Sequence, residues 1–295
     1  MNNKFRLSSN AFDRETEEER ISPKKVFFIS VEGNSTEKEY LQGLSKFREK
    51  LEIDVLVNIE VLERKKSDTN SAPIHVIELL EEYLELRKLD GDEMIKEIPL
   101  SLIEQHGEAV IQQFLKDASQ LPKEIRSKIN TELTNYGYFL EYRKYLNNFD
   151  NDLDEFCILI DRDSKNHSET NMRDCISYCE DKGYNCYVTN PCFEFWLLLH
   201  FSNVYEEYSD RLEYIKQNPK ISAAHTFVSN EVSIRAHHGK KCIGFETKYL
   251  PNIDKAIVHA KQFPSEVDDL VENIGCNIWR LIEKMRGFNP QENNV

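Results

Sequence analysis

Four short apolar segments of the chain have the length and composition of buried β-strands. They are rich in β-branched and aromatic residues, and polar or glycine-containing turns bound them. A continuous apolar run of this kind is typical of a strand that is covered on both faces of its sheet. The predicted strands are residues 25–31, 53–62, 155–160 and 184–189.

Segments with helical patterns separate these strands. After the first strand, apolar residues from Tyr40 to Phe47 recur at helical spacing, which predicts an amphipathic helix from Ser35 to about Lys50. The other helices predicted in this region are residues 75–89, 169–182 and 192–201. Alternating strands and helices indicate an α/β fold, with a parallel sheet that is flanked by helices on both faces.

The segment between the second helix and the third strand is polar, charge-rich and helical in pattern. We expect it to be an insertion that packs outside the sheet and supplies no metal ligand. The C-terminal part is predicted to be mostly helical, with polar loops around residues 202–210 and 228–247. The predicted organisation is a mobile N-terminal tail (1–22), an α/β core (23–89 and 153–201), a helical insertion (90–152) and a C-terminal part packed on the core (202–295).

Acidic residues follow two of the predicted strands. Glu32 leaves the first strand and precedes Gly33, while Asp161 and Asp163 follow the third strand. Ligands of parallel sheets bind at the carboxyl ends of the strands, and residues i and i+2 of an extended segment project to the same side. Converging carboxylates suit Mg²⁺ or Mn²⁺. The alternative is a polar turn that only ends a strand.

Composition and charge narrow the possible functions. The chain has 295 residues and a formal net charge of −14, which argues against a broad nucleic-acid clamp but allows a small site that grips phosphates through metal ions. No apolar run approaches a membrane span and no signal peptide is evident, so we expect a cytoplasmic protein. The seven cysteines include no CxxC pair, which favours reduced thiols over a metal site at Cys175 and Cys179.

Three segments together resemble the RloB family. They are residues 31–40 (VEGNSTEKEY), 160–163 (IDRD) and 189–200 (TNPCFEFWLLLH). The resemblance covers residues 25–63 and 155–290, and it implies a core similar to the Toprim fold and a link to restriction and abortive-infection loci. The aspartate pair is followed by Ser-Lys-Asn-His instead of the glycine-bearing turn of the broad Toprim pattern, which favours the nuclease branch over topoisomerase or primase chemistry.

The resemblance also implies roles for individual residues. Glu32 would be the general acid/base and a metal bridge, Asp161 and Asp163 would hold the divalent ion, and Glu37 would serve a second metal. Lys248 matches a basic position in the C-terminal part of the family. Glu194 lies just beyond the fourth strand, where it is either a further site residue or an ordinary helix N-terminal carboxylate.

The leading hypothesis is a Mg²⁺- or Mn²⁺-dependent endonuclease that acts as an effector of antiphage defence. Its substrate would be RNA, including tRNA, or DNA. By resemblance, its partner would be a separately encoded ATPase of the ABC/AAA type, since the chain contains no GxxxxGK[ST] phosphate loop. Two alternatives remain open: a non-catalytic regulatory or binding module of an ATPase-linked system, and a primase-like nucleotidyl transferase.

Overall fold

The structure is a computed structural model of the chain. The predicted N-terminal tail lies outside the residues that the structure describes, as does part of the predicted insertion. The described residues are 25–33, 35–62, 72–88, 95–96, 98–136, 154–236 and 244–288.

Five strands form one mixed sheet in the order β2-β1-β3-β4-β5. The first four strands are parallel to their neighbours, whereas β5 pairs antiparallel with β4. The predicted α/β fold is confirmed, but the sheet is not wholly parallel, because β5 has only two residues and leaves no apolar segment to detect. The strands are β1 (Lys25–Val31), β2 (Val57–Leu62), β3 (Glu155–Asp161), β4 (Asn185–Asn190) and β5 (Gly275–Cys276).

Helices surround the sheet. None of those in the described ranges combines the length and the apolar character needed to cross a lipid bilayer. They are α1 (Thr36–Lys46), α2 (Pro73–Lys88), α3 (Leu100–His106), α4 (Glu108–Asp117), α5 (Lys123–Tyr136), α6 (Glu169–Lys182), α7 (Phe193–Leu199), α8 (Val204–Glu207), α9 (Leu212–Gln217), α10 (Phe227–Ala236), α11 (Phe245–Lys248), α12 (Ile253–Ala260), α13 (Val267–Glu272) and α14 (Ile278–Arg286).

Two sequence predictions of helix extent were wrong. The first helix ends at Lys46, and a short 3₁₀ turn then occupies the rest of the predicted helix. The polar loop predicted around residues 228–247 overlaps α10, which buries Val228 and Val232 against the core. Polar residues between these two valines obscure the helical spacing in the sequence, and burial against the core supplies the missing stabilisation.

Strand side chains alternate between two hydrophobic layers. Phe27 and Ile29 of β1 face the layer that contains α1 and α7, whereas Val26 and Phe28 face the layer that contains α2 and α6. This alternation follows from the two-residue period of a strand. Both faces are buried, which explains why the strands are continuously apolar in sequence.

The strand order switches direction between β1 and β3. From β1 the chain moves outward to β2, and it later returns to place β3 on the opposite side of β1. The connections that leave β1 and β3 therefore diverge at the carboxyl ends of these strands. Such a switch in strand order is where ligands of open α/β sheets bind.

The described part of the insertion has a hydrophobic core of its own. Helices α3, α4 and α5 enclose a cluster that is separate from both layers on the sheet. The core of this three-helix unit consists of Ile98, Leu102, Ile111, Phe114, Leu115, Ile129 and Leu133.

Candidate functional site

Glu32 lies at the edge where β1 and β3 end. Its backbone N–H donates to the carbonyl oxygen of Leu159 at 3.3 Å, so the main chain still pairs with β3 at this point. Its carboxylate oxygen Oε2 accepts the backbone N–H of Asp161 at 3.1 Å. The side chain is 14% exposed, and it therefore bridges the two strand ends while part of it remains open to solvent.

Asp161 is the last residue of β3 and faces the α1 and α7 layer. Its partner in the neighbouring strand is Thr189, whose hydroxyl donates to the Asp161 carboxylate. Burial raises the pKa of Asp161 well above its ordinary value, and the charges of Glu32, Glu37 and Glu194 raise it further, while the Thr189 hydrogen bond opposes them. Four carboxyl groups thus interact at this edge.

Glu37 reaches this cluster because the turn after β1 contains glycine. It is buried in the first turn of α1, and its carboxylate lies directly against Gly33. A Cβ atom at Gly33 would be 2.1 Å from Oε2 of Glu37, which is far inside van der Waals contact. The absence of a side chain at Gly33 therefore makes room for the second carboxylate.

Glu194 approaches from the helix that follows β4. It lies in the first turn of α7, and its charge raises the pKa of Asp161. Burial raises the pKa of the Cys192 thiol, and the carboxylates of Glu194 and Asp161 raise it further. The sulfur also accepts the side-chain amide of Asn218 at 3.4 Å, so Cys192 connects the cluster to the loop between α9 and α10.

Asp163 turns away from the extended path of β3. The strand ends at Asp161, and Asp163 has a positive φ of 20°. Its carboxylate accepts the side-chain amide of Asn166 at 2.6 Å. The prediction that both aspartates project to the same side assumed that the strand continues to Asp163. In the structure the strand ends two residues earlier, at Asp161.

Arg162 and His167 belong to the surroundings of the site, although sequence reasoning did not assign them roles. The guanidinium of Arg162 is buried and donates to the backbone carbonyls of Val271 at 2.6 Å and His167 at 2.7 Å. The imidazole Nε2 of His167 lies 3.3 Å from Oε1 of Glu32. The sequence signal for these two residues was that Ser-Lys-Asn-His follows the aspartate pair in place of a glycine-bearing turn.

Lys248 lies at the end of α11, and its aliphatic stem lies near Gly244. This helix packs on α1, since the ring of Phe245 fills the space above Gly43. The structure therefore places Lys248 on the α1 side of the molecule and leaves its predicted role open to test.

The side chains of the cluster match a hard divalent cation in donor type. Carboxylate oxygens are the ligands that Mg²⁺ and Mn²⁺ prefer, and a cation between these groups would offset the repulsion that raises the pKa of Asp161. As the side chains stand, no three His, Cys, Asp or Glu residues of the described part surround a common metal position. Of the predicted ligands, Glu32, Glu37 and Asp161 are grouped in this cluster and Glu194 joins them, so these four would hold an ion, while the role of Asp163 as a ligand stays a prediction.

Comparison with known proteins identifies a family. The family model described as RloB-like protein matches residues 27–285, which is most of the chain and includes all four carboxylates of the cluster. Neither the curated proteins nor the solved structures include a significant match to the chain. On the strength of the family match, this chain belongs to the family of RloB-like proteins.

Proposed function

We propose that this protein is a metal-dependent endonuclease whose active site is the carboxylate cluster at the carboxyl ends of β1 and β3. One observation carries the proposal: Glu32 and Asp161 meet across two strand ends at the switch in strand order, and Glu37 lies against the intervening turn. A bound cation would stabilise a site of this composition, since uncompensated carboxylates repel each other. We infer that Mg²⁺ or Mn²⁺ is the cofactor.

The cluster remains partly open, which supports catalysis over a purely structural role. Glu32, Asp161 and Glu194 are each partly exposed, so the edge of the cluster is in contact with solvent. Bound divalent ions in such sites stabilise developing phosphate charge and lower the pKa of a water. Asp161, held by Thr189, and Glu37 would anchor the cation, while Glu32 would accept a proton from the attacking water or hydroxyl.

Substrate and partner are inferred from charge and family. A formal net charge of −14 argues against a surface that coats a duplex, and it allows a small site that grips a few phosphates through metal ions. We propose RNA, including tRNA, or DNA as the substrate, and a role in antiphage defence. From the family match we further propose that a separately encoded ATPase of the ABC/AAA type restrains or triggers the enzyme. The chain carries no phosphate-loop motif of its own, so nucleotide-driven switching would come from that partner.

The decisive experiment compares Glu32→Gln with Glu39→Gln. Purified proteins are incubated with mixed RNA and DNA in Mg²⁺, Mn²⁺ or EDTA, and cleavage is followed on gels. Glu32→Gln keeps the shape of the side chain but removes the proton acceptor, so cleavage should fall about 10²- to 10⁴-fold. Glu39 lies in the first turn of α1 outside the cluster, and its variant should cleave like the wild type.

The same experiment separates the alternatives. A fully folded Glu32→Gln protein with undiminished cleavage would overturn the assignment of the active site. A wild-type protein that binds Mn²⁺ but cleaves neither nucleic acid would favour the non-catalytic binding module. Incorporation of nucleotides into a primer, in place of cleavage, would favour the primase-like transferase.

A further inference from the structure

Both oxygens of the Glu32 carboxylate face a protein donor. Oε2 accepts the backbone N–H of Asp161 at 3.1 Å, and Oε1 lies 3.3 Å from the imidazole Nε2 of His167. An ionised carboxylate only accepts hydrogen bonds, so this contact is a hydrogen bond when Nε2 carries the proton. Two donors on two different oxygens hold a carboxylate in one rotational position, which a single donor does not.

The loop that carries His167 is itself held in place. The N–H of His167 donates to the carbonyl of Asp163 at 2.9 Å, and the N–H of Asp163 donates to the carbonyl of Pro191 at 3.1 Å. On the other side, the buried guanidinium of Arg162 joins the carbonyls of His167 and Val271. The imidazole is 5% exposed and has little freedom to move away from Glu32.

We propose that His167 is a positioning residue for Glu32. This inference rests on the proposed function, and it goes beyond that proposal by assigning a task to a residue outside the carboxylate cluster. His167 holds Oε1 by its N–H and so keeps Glu32 turned toward Asp161, where the two carboxylates can share a cation. Hydrogen-bond partners of metal-binding carboxylates commonly act in this way, and their loss lowers metal affinity or activity.

The other explanation is that His167 only fills space in a packed loop. The two explanations differ in what they require of the side chain at this position. A space-filling role depends on volume, whereas a positioning role depends on an N–H group at the distance of Nε2. Glutamine places an amide N–H at about that distance from the backbone, and asparagine is one methylene shorter.

The test therefore compares His167→Gln with His167→Asn in the full-length chain. Three quantities are measured for each protein: the melting temperature without metal, the affinity for Mn²⁺ by calorimetry, and kcat and KM for cleavage of RNA and DNA in Mn²⁺. We expect His167→Gln to stay close to the wild type. We expect His167→Asn to lose Mn²⁺ affinity or kcat by about 10- to 100-fold while its metal-free melting temperature is little changed.

Each other outcome overturns the inference. Two variants that equal the wild type in Mn²⁺ affinity and kcat would show that the N–H is dispensable, and equal losses in both would show that the distance of the donor is irrelevant. Losses that match the unfolded fraction at the assay temperature would assign His167 to packing. A wild-type protein that neither binds Mn²⁺ nor cleaves would overturn the proposed function as well. An active wild-type protein whose two variants behave like it would overturn only the role of His167.

Discussion

At the scale of single residues, one missing side chain and one hydroxyl group shape the candidate site. Gly33 has no side chain, and the carboxylate of Glu37 occupies the space where one would be. The Thr189 hydroxyl stands opposite Asp161 because strand register pairs these two residues. It donates a hydrogen bond to the Asp161 carboxylate, which offsets part of the free-energy cost of burying that group. Small changes at these positions are therefore expected to alter the site without disturbing the core.

Gly33→Ala is a prediction at this scale. The added Cβ would overlap the Glu37 carboxylate, and that flexible side chain should move aside at little cost to folding. We expect nearly unchanged metal-free melting but weaker stabilisation by Mn²⁺, because ligand binding stabilises a protein by RT ln(1 + [L]/Kd).

Gly287→Ala is the matched control for this prediction. Gly287 has a negative φ at the end of α14, and the nearest atom to an added Cβ would be a backbone oxygen at 3.3 Å. Melting curves with and without Mn²⁺ should separate the two variants. Equal Mn²⁺ stabilisation in Gly33→Ala and the wild type would show that Glu37 is not needed to hold the ion.

At the scale of secondary-structure elements, the cluster depends on how two helices are placed, because α1 carries Glu37 and α7 carries Glu194. A buried hydrogen bond joins them: the Tyr40 hydroxyl on α1 lies 3.1 Å from Nε2 of His200, which directly follows α7. Nδ1 of His200 lies 3.0 Å from the carbonyl of Trp196, so Nδ1 carries the proton and Nε2 accepts from Tyr40. Trp196 and His200 are both fully buried in the core.

This arrangement predicts how stability depends on pH. Burial lowers the pKa of His200 from 6.5 to about 3, so the unfolded state binds the proton more tightly. The stabilisation that the neutral His200 side chain gives to the folded state is complete above pH 6.5 and is lost as the pH falls below that value. Over this range the group should remove about 1.4 kcal/mol of unfolding free energy for each pH unit.

Denaturant unfolding between pH 7 and pH 5 measures the effect. His200→Gln has an amide that does not titrate and should flatten the profile in this range, even if the variant is less stable throughout. His75→Gln is the control, because His75 is partly exposed and pairs with Glu78 on its own helix. A His200→Gln profile parallel to that of the wild type would show that His200 does not govern this part of the pH dependence.

At the scale of the whole molecule, the sheet and the insertion have separate hydrophobic cores. The site lies at the β1 and β3 edge of the sheet, and no residue of the described insertion is among its side chains. The two parts are therefore expected to differ in what they contribute: the sheet holds the carboxylates, and the insertion is available for partner or substrate selection.

Deletion of the insertion tests this division. In a β-α-β crossover the helix runs antiparallel to its strands, so the end of α2 lies on the side where β3 begins. Replacing residues 91–151 by a short Gly/Ser linker should leave a folded core that still gains stability from Mn²⁺. Calorimetry and circular dichroism check both properties. An unfolded product, or one that no longer responds to Mn²⁺, would show that the core and its site depend on the insertion.

The sequence by itself determined the elements that position the site. β1 spans the predicted residues 25–31, and the third strand was predicted to end just before Asp161. These predictions succeed because strand formation by a continuously apolar segment, and the location of carboxylates at its end, are local properties of the chain. The proximity of Glu32 and Asp161 also followed from sequence, because parallel strands present their carboxyl ends at the same edge.

Only the tertiary structure decided how the other groups meet them. The sequence named Glu37 and Glu194 as candidates, but it did not show that their helices are joined by a buried hydrogen bond between residues 160 positions apart. It gave no role to His167, whose carbonyl is held by Arg162. Asp163 begins a turn whose backbone the apolar pattern does not specify. The reason is physical: residue periodicity encodes burial and local conformation, whereas contacts among polar side chains follow from strand order, register and helix packing, which the whole chain sets together.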